Sequence, residues 1–166
     1  SDIDLVCFFD DEKLAEKDFF ETRKAAIAVI KGVTKILSET TEHGYVFRTD
    51  LRLRPDPSVN PVCVGFEAAE NYYEALGRTW ERAAYIKARY CAGSKTLADK
   101  FLSALYPFVW RKYLDFAAIE DAHSIRIRYQ RKIELKTISS ILGHDVKLGL
   151  GGIRDIEFFT QTRQLI

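Results

Sequence analysis

The first third of the chain alternates apolar and polar residues in an order that predicts a strand, a helix and a second strand. Residues 1–9 and 45–54 show the period of two that is typical of strands, and residues 15–38 show helical spacing. In residues 45–54 the apolar positions form one face and the charged positions form the other. The apolar face consists of Tyr45, Phe47, Leu51 and Leu53, and the charged face consists of Arg48, Asp50, Arg52 and Arg54. We therefore expect the first face to lie in the core and the second to carry a site.

The helix predicted over residues 15–38 has a stripe of apolar side chains on one side. Its members recur at spacings of 7, 4, 3 and 4 residues, which align on one helical face. They are Phe19, Ala26, Ile30, Val33 and Leu37. We expect this stripe to be buried, and the polar segment 38–44 is expected to end the helix.

The pattern changes near residue 65, after a segment rich in proline. Pro55, Pro57 and Pro61 each remove a backbone donor, so residues 54–61 are predicted to form a loop. The remainder has mainly helical spacing. It predicts helices over residues 66–76, 80–91 and 97–105, a fourth that starts at Pro107, and another over residues 124–142. The fold class is therefore predicted to be α+β, with a sheet lobe in residues 1–64 and a mainly helical lobe in residues 65–166.

The composition excludes several classes of protein. The chain has 166 residues, of which 47% are hydrophobic, so it is long enough to form a real core. Its net charge of +1 gives no general electrostatic reason to bind nucleic acid or a membrane, and no apolar run approaches the ~18 residues of a membrane span. Any phosphate recognition must therefore be local. Cys7, Cys63 and Cys91 match no zinc or redox spacing, so we expect three buried structural thiols in a reducing cytosol.

Three aspartates on the two predicted strands are the leading candidates for chemistry. Asp2 and Asp4 lie on one face of the first strand, about 7 Å apart along the chain, and Asp50 lies among arginines on the second. Phosphoryl and nucleotidyl transfer use both charges, because carboxylates hold Mg²⁺ and cationic side chains take up charge on the phosphates. Carboxylates that converge could hold two ions about 3.5 to 4 Å apart. The alternative is that Asp50 is an exposed residue, ion-paired with its arginines and without a function.

A basic strip is predicted on the second of the later helices. Arg78, Arg82 and Arg89 recur near one helical face, and Lys87 lies beside them. The planar guanidinium suits bidentate contact with phosphate, so this strip is a candidate for binding phosphate or ribose. The alternative is an ordinary solvated surface.

A glycine-rich segment near the end of the sequence is the remaining candidate. Lys147 precedes a Gly-x-Gly-Gly run that leads into residues 153–157. This order predicts a loop before a helix N-terminus, where free N–H groups and the helix dipole attract anions. The alternative is a tight turn between helices.

The aspartate segments also carry a family resemblance. Residues 2–4 (DID) resemble the D-x-D motif of the DNA-polymerase-β-type nucleotidyltransferases, and residues 48–55 (RTDLRLRP) resemble the D-[LM]-R-L-R-P strand of glutamine synthetase adenylyltransferase. Three later segments resemble the N-terminal, adenylyl-removing half of that bifunctional bacterial enzyme: residues 77–89, 107–116 and 147–158. The resemblance covers almost the whole chain. It implies that residues 1–64 form a nucleotidyltransferase-type catalytic lobe.

The resemblance also implies an activity. In it, Asp2, Asp4 and Asp50 hold Mg²⁺ or Mn²⁺ while AMP is removed from a tyrosine of glutamine synthetase by phosphorolysis, which releases ADP. The implied partners are glutamine synthetase, a PII-type nitrogen-signalling protein, nucleotide and phosphate, and the implied location is cytoplasmic. The candidates for contact with nucleotide or phosphate are Ser1, Arg52, Arg54, Arg82, Lys87, Arg89 and Lys147. Two alternatives stay open: the half that transfers AMP from ATP, and a catalytically inactive regulatory or docking module.

One departure from the superfamily pattern concerns the start of the sequence. The superfamily motif has a Gly-Ser upstream of the D-x-D that helps to hold the nucleotide, whereas this sequence begins at Ser1. Terminal residues also fray unless they are tied down. We therefore expect the chain to be a piece of a longer protein.

Overall fold

Short parallel strands hold the first part of the chain together. In the computed structural model, which describes residues 2–12, 14–110, 127, 145–147, 149 and 151–165, the strands form two separate pairs. Strand β1 is Ile3–Asp4, β2 is Phe8–Phe9, β3 is Thr49–Asp50 and β4 is Val64–Gly65. Strand β1 pairs with β3 and β2 pairs with β4, both in parallel. The predicted first strand therefore divides into two short strands that serve different sheets.

Helices account for most of the regular structure. Within the described ranges they are α1 (Glu16–Ser38), α2 (Phe66–Ala75), α3 (Thr79–Tyr85), α4 (Lys95–Val109) and α5 (Ile153–Leu165). Parallel strands need a long crossover connection, and α1 lies in the connection between β1 and β3. None of these described helices is long and apolar enough to cross a membrane. The mixture of helices and parallel strands confirms the predicted α+β class.

The second strand was predicted over residues 45–54 but comprises only Thr49–Asp50 in the structure. Tyr45 and Phe47, predicted to face the core, are 54% and 51% exposed, so that prediction is wrong for both. The reason lies in the backbone: the N–H groups of Val46 and Phe47 donate to the carbonyl of Leu37, at 3.1 and 2.8 Å. These bonds satisfy a carbonyl in the last turn of α1. The segment before β3 therefore closes the end of a helix and does not extend the ladder.

The chain forms two compact units. The first comprises Ser1–Gly77 and Arg89–Leu105, and the second comprises Arg78–Ala88 and Tyr106–Ile166. In the first unit the ring of Phe101 is buried, and its centroid lies 4.1 Å from that of Phe8, 6.2 Å from that of Phe66 and 6.1 Å from that of Tyr73. Strand β2, α2 and the part of α4 that contains Phe101 thus share one core. These units are defined by contacts between residues, and the predicted division into a sheet lobe over residues 1–64 and a helical lobe over residues 65–166 stays a prediction.

The observed bounds of the helices agree with the predicted bounds for α1 and differ from them for α3 and α4. Helix α1 has almost the predicted bounds, although Val33 of its predicted stripe is exposed and the other members are only half-buried. The helix predicted over residues 80–91 ends at Tyr85, although good helix formers follow it; local propensity is only a weak guide to where a helix ends. Pro107 was expected to start a helix but lies in the last turn of α4. The helix predicted over residues 124–142 lies outside the described residues, apart from Ile127.

Helix α2 is capped by a side chain from a distant part of the chain. Its N-cap position is Gly65, which has no side chain to accept a hydrogen bond. Asp11 takes this role, because its Oδ1 accepts the N–H of Glu67 at 3.0 Å. The carboxylate fits only beside a glycine: a Cβ added at Gly65 would lie 1.8 Å from Asp11 Oδ2. The cap therefore ties the segment after β2 to the start of α2.

Replacing Gly65 with alanine is expected to lower the free energy of unfolding by about 1 kcal/mol, because the new methyl group would displace the capping carboxylate. Denaturant unfolding would measure the change. As the matched control, Gly32→Ala in exposed α1 meets no atom within 4 Å and is expected to raise stability by up to about 1 kcal/mol. In an Asp11→Ala background, Gly65→Ala should have little further effect. An equal loss in both backgrounds would contradict the proposed clash.

The three cysteines are free thiols in different environments. Cys63 is buried, and burial raises its pKa to about 11. Burial is also the main cause of the raised pKa of Cys7, which is half-buried. Because Phe8 pairs with Val64 in parallel register, Cys7 lies beside Cys63. Cys91 is exposed, so the prediction of three buried thiols is wrong for this residue.

In the native protein at pH 8, we expect iodoacetamide to label Cys91 rapidly and Cys63 slowly. Burial blocks access to Cys63, and its raised pKa lowers the thiolate fraction about 100-fold relative to a thiol with a pKa of 9.0. Peptide mass spectrometry after timed labelling would give both rates, and a urea-unfolded sample would serve as the control. Similar rates at the two cysteines in the folded protein would count against the described burial.

Candidate active site

The parallel register of β1 and β3 places two aspartates opposite each other. Asp4 pairs with Asp50, and the pairing is fixed by hydrogen bonds on either side: the N–H of Ile3 donates to the carbonyl of Arg48 and that of Leu5 to the carbonyl of Asp50, both at 2.8 Å. Side chains of residues paired in this way lie on the same face of a sheet. By the period of two, Asp2 lies on that face as well. The fold thus brings the three predicted aspartates to one face of two adjacent strands.

Arg52 covers the carboxylate of Asp50. Its backbone N–H donates to Asp50 Oδ1 at 2.8 Å, its Nε lies 3.0 Å from Oδ1 and 2.8 Å from Oδ2, and its Nη2 also contacts Oδ2. The hydrogen bond from Arg52 is the main reason that the pKa of Asp50 is lowered. The pKa of Arg52 is raised chiefly by its hydrogen bond to Asp50, with smaller contributions from the charges of Asp2 and Asp4. All three carboxylates therefore act on this guanidinium.

Arg48 makes a similar contact one step along the sheet. Its Nε lies 3.1 Å from Asp2 Oδ1; these two residues directly precede the paired residues Ile3 and Thr49. Arg48 was predicted to lie on the charged face but was not among the predicted site residues. Its position in the alternating pattern was the available signal. The site thus consists of paired charges, in which two exposed arginines neutralise aspartates.

The aspartates have the chemistry of ligands for a divalent cation. Carboxylate oxygens are the ligands that Mg²⁺ and Mn²⁺ favour, and the three side chains share a face. Their present orientations do not form a ligand set: among the described residues, no group of three His, Cys, Asp or Glu side chains could hold a metal ion. Asp2 and Asp50 instead face Arg48 and Arg52. An ion would require these exposed arginines to turn away, which the solvent around them permits.

Arg54 was predicted to contact phosphate, but in the structure its guanidinium donates hydrogen bonds to backbone carbonyls of its own loop. Its Nη1 donates to the carbonyl of Leu51 at 2.8 Å, its Nε to that of Asn60 at 3.0 Å and its Nη2 to that of Pro57 at 3.0 Å. Proline-rich loops leave carbonyls without helix or sheet partners, and this guanidinium satisfies three of them. Arg54 is therefore a structural clamp of the loop that follows β3.

The predicted basic strip does not exist as one helical face. Helix α3 ends at Tyr85, so Arg89 lies beyond it. Arg82 is only 2% exposed, and its Nε and Nη2 donate to the carbonyl of Val109 at 3.3 and 3.2 Å. Val109 is the last residue of α4, where carbonyls lack helical partners, so Arg82 stabilises a helix end. Lys87 and Arg89 are exposed and belong to different compact units.

The described residues of the glycine-rich segment before α5 are joined to the start of the helix by backbone hydrogen bonds. The N–H groups of Ile153 and Arg154, at the start of the helix, donate to the carbonyls of Val146 and Lys147, both at 3.0 Å. A Cβ added at Gly152 would lie 2.6 Å from the carbonyl oxygen of Val146, so the turn requires glycine there. These amides are already hydrogen-bonded, which favours the tight-turn alternative over the predicted anion site. Lys147 is exposed, and Ser1 lies outside the described residues.

Comparison with known proteins matches most of the chain to two family models. A family model described as "Glutamate-ammonia ligase adenylyltransferase" matches residues 1–104, and another described as "GlnD PII-uridylyltransferase" matches residues 122–166. The first match includes both aspartate strands and the arginines beside them.

Curated relatives match over the whole of the chain. Proteins named "Bifunctional glutamine synthetase adenylyltransferase/adenylyl-removing enzyme" are 52% identical in Mesorhizobium japonicum and 49% identical in Bradyrhizobium diazoefficiens and in Rhodopseudomonas palustris strain HaA2. Each alignment covers 100% of this chain and 17% of the relative. The chain therefore spans about a sixth of the length of these relatives.

Proposed function

Because the chain belongs to the glutamate-ammonia ligase adenylyltransferase family, we propose that it carries the site that removes AMP from a tyrosine of glutamine synthetase by phosphorolysis. The observation that carries this proposal is the register of Asp4 with Asp50, with Asp2 on the same face and arginines beside them. Such a surface offers oxygen ligands and cationic donors together, as phosphoryl transfer requires. The names of the relatives include an adenylyl-removing activity.

The reaction assigns a separate task to each kind of side chain. Asp2, Asp4 and Asp50 would hold Mg²⁺ or Mn²⁺, which neutralises charge on phosphate oxygens when bound. An oxygen of hydrogen phosphate attacks the phosphorus of the tyrosine-linked AMP, the bond from phosphorus to the tyrosine oxygen breaks, and the proton of hydrogen phosphate ends on the phenol. The products are ADP and the unmodified tyrosine. Arg48 and Arg52, whose side chains are exposed, would contact the anionic groups.

The choice of the removing half rests on sequence segments outside the aspartate strands. Residues 77–89, 107–116 and 147–158 resemble that half, while the name of the relatives covers both activities. Transfer of AMP from ATP is therefore the second candidate. The involvement of a PII-type protein and a cytoplasmic location follow from the same resemblance and are parts of the proposal.

Asp50→Asn in the intact protein is expected to lower phosphate-dependent release of ADP from adenylylated glutamine synthetase at least about 100-fold. The amide lacks the charge that a divalent cation needs, and the thermal unfolding midpoint should change little because the lost contacts are with exposed Arg52. Asp18→Asn, on an exposed part of α1, is the matched control and should retain full activity. Full ADP release by Asp50→Asn would refute the metal role of this residue.

The same preparation can decide between the alternatives. Unmodified glutamine synthetase and ATP would be supplied in a parallel assay, with AMP transfer and pyrophosphate release as the measurement. Loss of only this second activity in Asp50→Asn would assign the chain to the adding half. If Asp50→Asn left both activities of a folded protein unchanged, the segment would be a regulatory or docking module.

A further inference from the structure

Arg52 occupies the coordination positions of the carboxylate that the proposed reaction needs. Both oxygens of Asp50 accept hydrogen bonds from its guanidinium, and the Asp50 side chain is only 14% exposed whereas that of Arg52 is 80% exposed. A carboxylate offers about four lone-pair directions. Oδ1 already receives the Arg52 backbone N–H and Nε, and Oδ2 receives Nε and Nη2. A cation can therefore reach Asp50 only when the guanidinium leaves.

We propose that Arg52 is an exchangeable latch, which covers Asp50 in the metal-free site and moves to the incoming phosphate group when a divalent cation takes its place. This inference rests on the proposed function and deepens it, because it names how the metal and the anionic substrate are coupled. The guanidinium gives up one bidentate oxyanion partner and gains another of the same kind. In this way Asp50 and Arg52 each have a partner of opposite charge, both in the metal-free site and when cation and phosphate are bound.

The geometry allows Arg52 to move while Asp50 keeps its orientation. The hydrogen bond from the Arg52 backbone N–H to Asp50 Oδ1, at 2.8 Å, does not depend on the side chain. The Arg52 guanidinium is 80% exposed, so water can replace its contacts when a cation competes for the carboxylate of Asp50. Arg54 differs in each respect, because three backbone carbonyls hold its guanidinium in the loop. Of these two arginines, the arrangement permits only Arg52 to be exchanged.

The latch predicts that metal and phosphate strengthen each other's binding. Binding of a cation releases Arg52 for phosphate, and by linkage phosphate must favour the cation by the same factor. Replacement of the Arg52 side chain should therefore change the binding of the cation in two ways. The cation should bind more tightly in the absence of phosphate, because its competitor is gone, and phosphate should no longer improve it.

The test is a titration of the intact protein with Mn²⁺, followed through the electron paramagnetic resonance signal of free Mn²⁺, with and without inorganic phosphate. Asp50→Asn identifies the fraction of binding that belongs to this site. For that fraction, Arg52→Gln is expected to lower the Kd of Mn²⁺ about two- to fivefold without phosphate, because the guanidinium no longer competes for Asp50, and to abolish the effect of phosphate. Lys31→Gln, which removes a charge from an exposed position of α1, is the control and should match the wild type.

Arg52→Lys separates the latch from a simple charge effect. Lysine keeps the positive charge but loses the two-point grip on the carboxylate. The latch predicts tighter Mn²⁺ binding by this variant as well, whereas a pure charge effect predicts the wild-type Kd. Binding that depends on Asp50 but is unchanged in Arg52→Lys would overturn the latch alone. Mn²⁺ binding that is unaffected by Asp50→Asn, or absent from the wild type, would overturn the metal role and with it the proposed function.

Discussion

The pairing of β1 with β3 is the constraint on which the candidate site depends. Parallel strands cannot be joined by a tight turn, so the chain needs the long connection through α1 before it can return beside β1. The return fixes Asp4 opposite Asp50. A shift of this register by one residue would place Asp4 beside Thr49 or Leu51 and would move Asp50 to the other face. Two short strands therefore decide whether the acidic groups meet.

Once the acidic groups meet, their mutual repulsion has to be balanced. The alternating pattern that brings Asp50 to this face also brings Arg48 and Arg52, so the same strand segment carries the charges and their partners. The interactions are local and both guanidinium groups are exposed, so the arginines can change partners without leaving solvent. A buried ion pair would hold its members more firmly, because separating them leaves an uncompensated charge in a medium that solvates it poorly. Ion pairs with exposed guanidinium groups suit a site in which the charged side chains change partners during a reaction.

Much of this arrangement follows from periodicity in the sequence, and the remainder depends on backbone carbonyls that periodicity cannot locate. The bounds of α1 and the shared face of the aspartates were predicted because side-chain direction repeats at fixed intervals. Phe47 was wrongly predicted to face the core, because its backbone N–H donates to the carbonyl of Leu37 and not to a neighbouring strand. Arg82 was misassigned because the end of α4 needs a donor, which no local pattern around Arg82 reveals. The metal, nucleotide and partner assignments come from resemblance and stay proposals.

Arg52 and Arg54 show how two identical side chains on one predicted face acquire different roles. Both follow Asp50 at even spacing, and by sequence alone each was a candidate for phosphate. The chain turns after Asp50 and leads into the proline-rich loop. There the guanidinium of Arg54 donates to the carbonyls of Leu51 and Pro57. Arg52 remains at the turn, with its guanidinium in solvent and the carboxylate within reach. The loop thus stabilises the end of the strand with one arginine and leaves the other able to exchange partners.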